Sequence, residues 1–246
     1  MVIREVKGRF AGSAGGLLWH FINPILMLII YLFVFVYIFK LRVSAGRGAG
    51  ASAIYIMAGL FPWVILAEGL VRGTSSVIEN ANLIQKTYFP TEILTTKAVI
   101  APYLSYGVAI ILLAAYTGIF SGYSWIFFVL PFILILQIFF TLGISFFSST
   151  LSVFFRDAMQ LVQIVISVWI YITPILYPLS MLPEWAQRLM YLNPLYPFMS
   201  IYQSLFLFGT LGPWYHILLA TVWSLGFFIT GAFIFNKLKY EFADWL

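Results

Sequence analysis

Side chains able to do acid–base or metal chemistry are scarce in this chain. Its two histidines, His20 and His216, have no cysteine or carboxylate cluster beside them, and there is no cysteine at all. A zinc-type ligand set, a thiolate nucleophile and a disulfide framework are therefore excluded. Gly46 to Gly50 lacks the Lys-Ser/Thr end of a phosphate loop, so this chain does not hydrolyse ATP alone. HExxH, GxSxG and CxxC are absent, and no pair of carboxylates shares one apolar segment, so enzyme readings have no candidate residues. Residues 10–39, 98–155, 158–183 and 189–236 contain no Asp, Glu, Lys or Arg. Glu68 alone lies inside an apolar run, near its end and four residues before Arg72, where a pair on the helix surface accounts for it. An ionisable group inside a bilayer costs several kcal/mol and persists for function. A proton- or sodium-driven cycle therefore has no relay here, and a stand-alone carrier or channel is disfavoured. Energy must come from elsewhere.

What the chain has instead is aromatic surface: 25 Phe, 15 Tyr and 8 Trp. Lipid-facing bulk and interfacial belts cover most of these. A sharper use is a conduit, because aromatic faces stack on sugar rings without ionic contacts. Tyr171, Tyr177, Trp185, Tyr191, Tyr196 and Tyr202, clustered in the later part of the chain, are the candidates.

The elements that must position these side chains follow from composition. Of 246 residues, 63% are hydrophobic and 9% charged, against about a quarter charged in soluble domains. The pattern predicts an all-α polytopic membrane protein. Six apolar segments, about 22–39, 53–71, 98–119, 125–153, 159–177 and 214–235, each approach or exceed the roughly 20 residues that span about 30 Å of hydrocarbon. An even number puts both termini on one side. With the termini inside, Arg4, Lys7, Arg9, Arg72, Lys86, Lys97, Arg156, Lys237 and Lys239 are cytoplasmic, and Lys40, Arg42, Arg47 and Arg188 are outside. That ratio favours cytoplasmic termini, with the Lys40 to Arg47 loop as the exception. The positive charge sits at the ends of apolar runs, so it needs no nucleic-acid partner.

Three further stretches are distinctive. Val2 to Phe10 puts Val2, Ile3, Val6 and Phe10 on one helical face with Arg4, Glu5, Lys7 and Arg9 around the rest, which suits an interface helix in the headgroup plane, over residues 1–20 with its turn into the membrane. A cleaved signal peptide fits less well, because the apolar run that follows is too long for an h-region. Glu79 to Lys97 is an amphipathic insert that must lie in water: Asn82 can cap a short helix with Gln85 three residues on, Leu83, Ile84, Tyr88 and Phe89 give it an apolar face, and Pro90 ends it. Such a helix either docks on a partner or folds back on the membrane surface. Residues 178–212 are too apolar for an open loop and too broken by Pro183, Asn193-Pro194 and Pro197 to span. Two short helices, about Glu184 to Leu192 and Leu195 to Phe208, read as a re-entrant outer hairpin between the fifth and sixth spans, with surface helices in the headgroup layer as the alternative.

The motifs in order are Gly59-Leu60-Phe61-Pro62-Trp63; Asn80-Ala81-Asn82-Leu83-Ile84-Gln85-Lys86 with Tyr88-Phe89-Pro90; Val153-Phe154-Phe155-Arg156-Asp157; Thr173-Pro174-Ile175 with Tyr177-Pro178; Asn193-Pro194; and Phe242-Ala243-Asp244. In this order and spacing the chain resembles the membrane subunit of ABC-2 type exporters over nearly its whole length. The resemblance is to the bacterial polysaccharide and polyol-phosphate group that moves O-antigen, capsule and teichoic acid chains (Wzm-type). It implies a single transmembrane domain over 1–246, present as a homodimer in the bacterial inner membrane. Two copies of a separate nucleotide-binding ATPase would bind ATP and Mg, so this chain would need no cofactor of its own, and the substrate would be a lipid-linked glycan. It also implies that Asn82, Leu83, Ile84, Gln85, Lys86, Tyr88 and Phe89 form a coupling element on the ATPase, with Arg156 and Asp157 at a second cytoplasmic contact, paired with each other or capping a short helix. Arg4, Lys7 and Arg9 stand at the cytoplasmic entrance, where attraction of a lipid pyrophosphate and ordinary positive-inside placement explain them equally well. An ABC-2 permease for drugs or lipids is the alternative reading.

Overall fold

Inside hydrocarbon every backbone N–H and C=O must be satisfied within the protein, which leaves helices and closed barrels. The computed structural model takes the first course, and no strand occurs among the described residues. It describes residues 49–86, 89–121 and 128–246, together with Ile22, Leu26, Ile29, Ile30 and Phe33–Ile38. The expected interface helix, with Arg4, Lys7 and Arg9, and Tyr88 of the insert lie outside the described residues. Of the first expected span, Ile22, Leu26, Ile29 and Ile30 are helical and Phe33–Ile38 forms a π-helical turn.

Among the described residues, four helices are long and apolar enough to cross a membrane. They are α1 (Ala49–Ser75), α3 (Thr91–Ser121), α4 (Leu130–Phe154) and α8 (Trp214–Leu238). Between them lie α2 (Ala81–Lys86), α5 (Ala158–Ile172), α6 (Glu184–Leu189) and α7 (Tyr196–Phe208), and α9 (Phe242–Trp245) closes the chain. Three expectations are corrected. The third expected span gains Thr91–Lys97, so the polar insert is shorter than 79–97. Pro90 stands immediately before Thr91 and starts α3 rather than ending α2, its fixed φ and missing N–H suiting a helix entrance. The fifth expected span is a 15-residue helix, shorter than those four, and stops at Ile172 rather than 177, because Thr173 precedes a proline and is extended (φ −83°, ψ 136°). At 1.5 Å per residue α5 is about 22 Å long.

Lipid tails are as apolar as leucine, so helices associate here through close packing and hydrogen bonds. α4 against α8 is the tightest contact. A Cβ on Gly143 would lie 2.3 Å from the Phe227 carbonyl carbon, and one on Gly231 would lie 2.0 Å from the Gly143 carbonyl oxygen. Bare backbone on both sides lets the two helices touch. Ser224 Oγ donates across this seam to the Leu136 carbonyl at 2.8 Å. Phe139–Phe228, Phe140–Phe227 and Phe146–Phe235 pack beside it at 4.9, 5.4 and 5.0 Å. α1 packs on α3, α4 and α7. At one end of the bundle, Ser152 Oγ of α4 donates to the Thr74 carbonyl at 2.9 Å, the Thr74 and Ser148 hydroxyls meet at 2.7 Å, and those of Ser76 and Thr95 at 2.9 Å.

Candidate functional site

That polar end is one half of the site. α1 ends at Ser75 and passes through a 3₁₀ turn, Ile78–Asn80, directly into α2. Asn82 is therefore the second residue of the helix and not its cap. It is Asn80 whose side chain holds the turn, donating Nδ2 to the Ser76 carbonyl at 2.8 Å. Asn82, Leu83, Gln85 and Lys86 are exposed, while Ile84 turns inward onto the core. Phe89 is half-buried and, with Ile84, Gln85 and Lys86, lines a cleft of about 420 Å³ whose far wall is Lys239, Tyr240 and Ala243. Arg156 and Asp157 form the exposed turn between α4 and α5 at this same end. Asp157 sits at the N-cap position of α5 without a side-chain capping bond. Neither residue has an ion-pair partner among the described residues, so the expected Arg156–Asp157 pair does not form. The structure thus brings Asn82–Lys86 and Arg156–Asp157 to one end, joined by α9, which touches both α2 and α4.

The opposite end is built from the broken stretch after α5. Pro174 interrupts the helix and frees carbonyls that need donors. Tyr177 OH donates back to the carbonyls of Tyr171 (2.8 Å) and Ile172 (3.2 Å). Tyr55 OH of α1 lies 3.2 Å from the Pro174 carbonyl and 3.1 Å from that of Tyr177, and Gln203 Nε2 of α7 donates to Pro174 at 3.0 Å. A Cβ on Gly59 would sit 3.0 Å from Gln203 Nε2 and 3.1 Å from Ile175 Cγ2, so the glycine makes room for both. Asn193 ties the rest: its Oδ1 accepts from Trp169 Nε1 (2.9 Å) and from the Leu195 N–H (3.1 Å), and its Nδ2 donates to Thr173 Oγ1 (2.9 Å). Trp169 packs edge-on to Trp63 at 6.2 Å. Deeper, Gln137 of α4 donates Nε2 to the Pro62 carbonyl and accepts from Tyr202 OH, both at 2.8 Å. The motif residues Gly59, Pro62, Trp63, Thr173, Pro174, Ile175 and Asn193 are therefore one connected knot that positions the outer aromatics.

Those aromatics divide sharply. Tyr171 and Trp185 are the most open, at 66% and 68% exposure, Tyr191 is exposed and Tyr177 half-buried. Tyr196 is buried and Tyr202 is wholly enclosed at 0%. Tyr202 belongs to the protein's interior, where its hydroxyl serves Gln137 rather than a passing chain. α7 as a whole is buried from Tyr196 to Leu207 apart from Ser200 and Ser204, wedged among α1, α3 and α8. Its lack of amphipathic contrast reflects protein on nearly every side.

Sequence reasoning missed the other half of this cluster. Trp214, Tyr215 and His216 begin α8, and Tyr215 and His216 meet Tyr191 and Tyr196. Tyr191 packs edge-on to Tyr196 at 5.8 Å, Tyr196 packs on His216 at 5.3 Å, and Tyr215 on His216 at 4.7 Å. Their place immediately after Pro213, at the head of the last apolar run, is where an interfacial belt belongs, and that signal was available.

Charge follows the same division. Arg72, Lys86, Lys97, Arg156, Lys237 and Lys239 cluster toward the α2 end, while Arg188 is the described cation of the opposite one. Glu68 and Arg72 form the expected i,i+4 pair at 2.8 Å.

A bundle of long apolar helices with one polar, cationic end and one aromatic end defines a multi-pass helical membrane protein. The family profile described as ABC-2 type transporter matches residues 1–207. The chain is 34% identical over 246 residues to an O-antigen export system permease protein RfbA of Klebsiella pneumoniae, covering 98% of this chain and 91% of that one. A second Klebsiella pneumoniae protein of that name is 34% identical over 247 residues with the same coverage. One from Myxococcus xanthus is 26% identical over 247 residues, covering 99% and 93%. The chain belongs to the ABC-2 type transporter family, as a membrane permease.

Proposed function

We propose that this chain is the transmembrane subunit of an ATP-driven exporter that moves lipid-linked polysaccharide of the O-antigen type across the bacterial inner membrane. Two copies pair with two copies of a nucleotide-binding ATPase, which holds ATP and Mg. Each copy crosses six times with both termini cytoplasmic, an N-terminal helix lies in the inner headgroup layer, and residues 178–212 form a re-entrant outer hairpin. The observation that carries this reading is the gathering of α2 and the Arg156–Asp157 turn at one cationic end, opposite the aromatic one. Relatives named as O-antigen export permeases, aligned over nearly the full length, support the cargo.

The chemistry is positional. Asn82, Leu83, Gln85 and Lys86 present an exposed edge that fits a groove on the ATPase, while Ile84 anchors the same helix to the bundle. ATP-driven closure of the two ATPase subunits pushes on α2, and α1 and α3, joined to it at both ends, tilt with it. Tyr171, Tyr177, Trp185 and Tyr191 offer aromatic faces on which sugar rings stack as the glycan leaves. Tyr88, Arg4, Lys7 and Arg9 keep the roles the resemblance implies, in the coupling element and at the cytoplasmic entrance.

The test is reconstitution of the purified permease–ATPase complex with lipid-linked glycan. Glycan stimulates ATP hydrolysis and appears across the bilayer, and Leu83→Asp abolishes co-purification of the ATPase. Stimulation by small amphiphiles but not by glycan would overturn the cargo in favour of a drug or lipid permease. Isolation from native membrane without any ATPase, with Leu83→Asp transporting normally, would overturn the coupling role.

A further inference from the structure

The last eight residues are not a loose end. Phe242 is fully buried, set against Phe235 of α8 at 5.3 Å and Phe154, the last residue of α4, at 6.3 Å. Trp245 adds a second edge-on contact to Phe154 at 5.3 Å. Lys239 forms an ion pair with Glu92 in the first turn of α3, hydrogen-bonds Asn236 Oδ1 at 2.9 Å, and lies 5.4 Å from the Tyr240 ring. α9 itself rests on α2. One short segment therefore touches the docking helix, the start of α3, the helix that leads into the Arg156–Asp157 turn, and α8. α8 runs unbroken through 25 residues, about 37 Å at 1.5 Å per residue. At its far end Tyr215 packs on Tyr191, and His216 on both Tyr191 and Tyr196.

We infer that residues 239–246 are a transmission strut, with Lys239 and Glu92 as its positioning pair, carrying displacement of α2 along α8 to the outer aromatic cluster. The inference rests on the exporter reading for its motor, not for its cargo. A force applied at α2 needs a stiff member reaching the far side. α1 reaches it through the Tyr55 and Gly59 contacts with the broken stretch. α8 reaches the hairpin directly, and the strut is what joins its inner end to α2. The Glu92–Lys239 pair bears on motion more than on folding, because it is partly exposed and such pairs contribute little stability. The same pair joins the first turn of α3 to the residue that follows α8.

The absence of native cysteine allows a single fluorescent label at Leu218→Cys, an exposed position near the outer end of α8, in the complex reconstituted with its ATPase. ATP changes the label's emission in the parent. Lys239→Glu reduces that change by about fivefold or more, while the rate of ATP hydrolysis and its KM stay within about twofold. Glycan exported per ATP falls in step with the emission change. The swapped pair Glu92→Lys with Lys239→Glu restores both. An unaltered emission change in Lys239→Glu, a swap that restores nothing, a parallel loss of hydrolysis, or no ATP response in the parent would each overturn the strut. Failure of the parent to export glycan while its label responds to ATP would strike the cargo reading and leave the strut standing.

Discussion

Gly143→Ala is the sharpest probe of how this bundle is held together. The added methyl would sit 2.3 Å from the Phe227 carbonyl carbon and 2.4 Å from the Phe228 amide nitrogen. Both are backbone atoms of α8, so no rotamer change relieves the clash. Reaching ordinary contact near 3.4 Å separates α4 and α8 locally by about 1 Å. A gap of that size forfeits a quarter to a half of each dispersion contact along the seam. It also stretches the Ser224–Leu136 hydrogen bond from 2.8 Å beyond useful range, a loss of about 0.6–1.7 kcal/mol between membrane helices. With about 1–3 kcal/mol for overpacking, the expected destabilisation is about 3 kcal/mol. The assay is reversible unfolding in mixed micelles, with Gly226→Ala on α8 as the matched control. A Cβ at Gly226 meets nothing within 4 Å, and alanine there is neutral or stabilising by up to about 1 kcal/mol. Gly231→Ala pushes on the same seam, so the double variant costs less than the sum of the two. A Gly143→Ala protein within about 0.5 kcal/mol of wild type, or indistinguishable from Gly226→Ala, would refute backbone contact as the basis of this packing.

Other outcomes are as specific. Asn193→Ala removes three hydrogen bonds and leaves the Trp169 indole and Thr173 hydroxyl without their partner; it costs about 2 kcal/mol in the same unfolding assay, with a change in Trp169 fluorescence. Tyr191→Ala loses edge-on ring contacts worth about 1 kcal/mol but lowers glycan export far more than it lowers folded yield; equal losses would leave only a packing role. Lys86→Cys reacts with a membrane-impermeant maleimide from the cytoplasmic side only, and labelling from outside would reverse the topology.

The long apolar runs made the helical class legible, since no other element satisfies its own backbone in lipid at that length. Boundaries failed where proline had two available meanings. Pro90 reads as a stop in the sequence and is a start in the fold, and Pro174 cuts an apolar run that hydropathy carries on to Tyr177. Helix faces were harder to read. Where nearly every residue is apolar there is no amphipathic contrast, so nothing in the sequence separates Tyr202, enclosed against Gln137, from Tyr171 on the surface. The exposed edge of α2 was readable from its isolated polar residues. Its junction with α9 was not, because that contact joins segments some 160 positions apart. Gln137 and Gln203 carry a signal that the motifs do not: a lone amide in an apolar stretch is costly and marks a place where backbone has come undone.

Tyr55 carries a consequence for how the protein is made. Its hydroxyl is held by carbonyls 119 and 122 residues downstream, so at synthesis rates of about 5–20 residues per second α1 waits many seconds for its partners. Through that interval the helix stands in the bilayer with an unanswered phenol near one end and the notch at Gly59 unfilled. Nascent chains arrested before residue 174 are therefore inserted but not assembled, and they are the natural prey of membrane quality control.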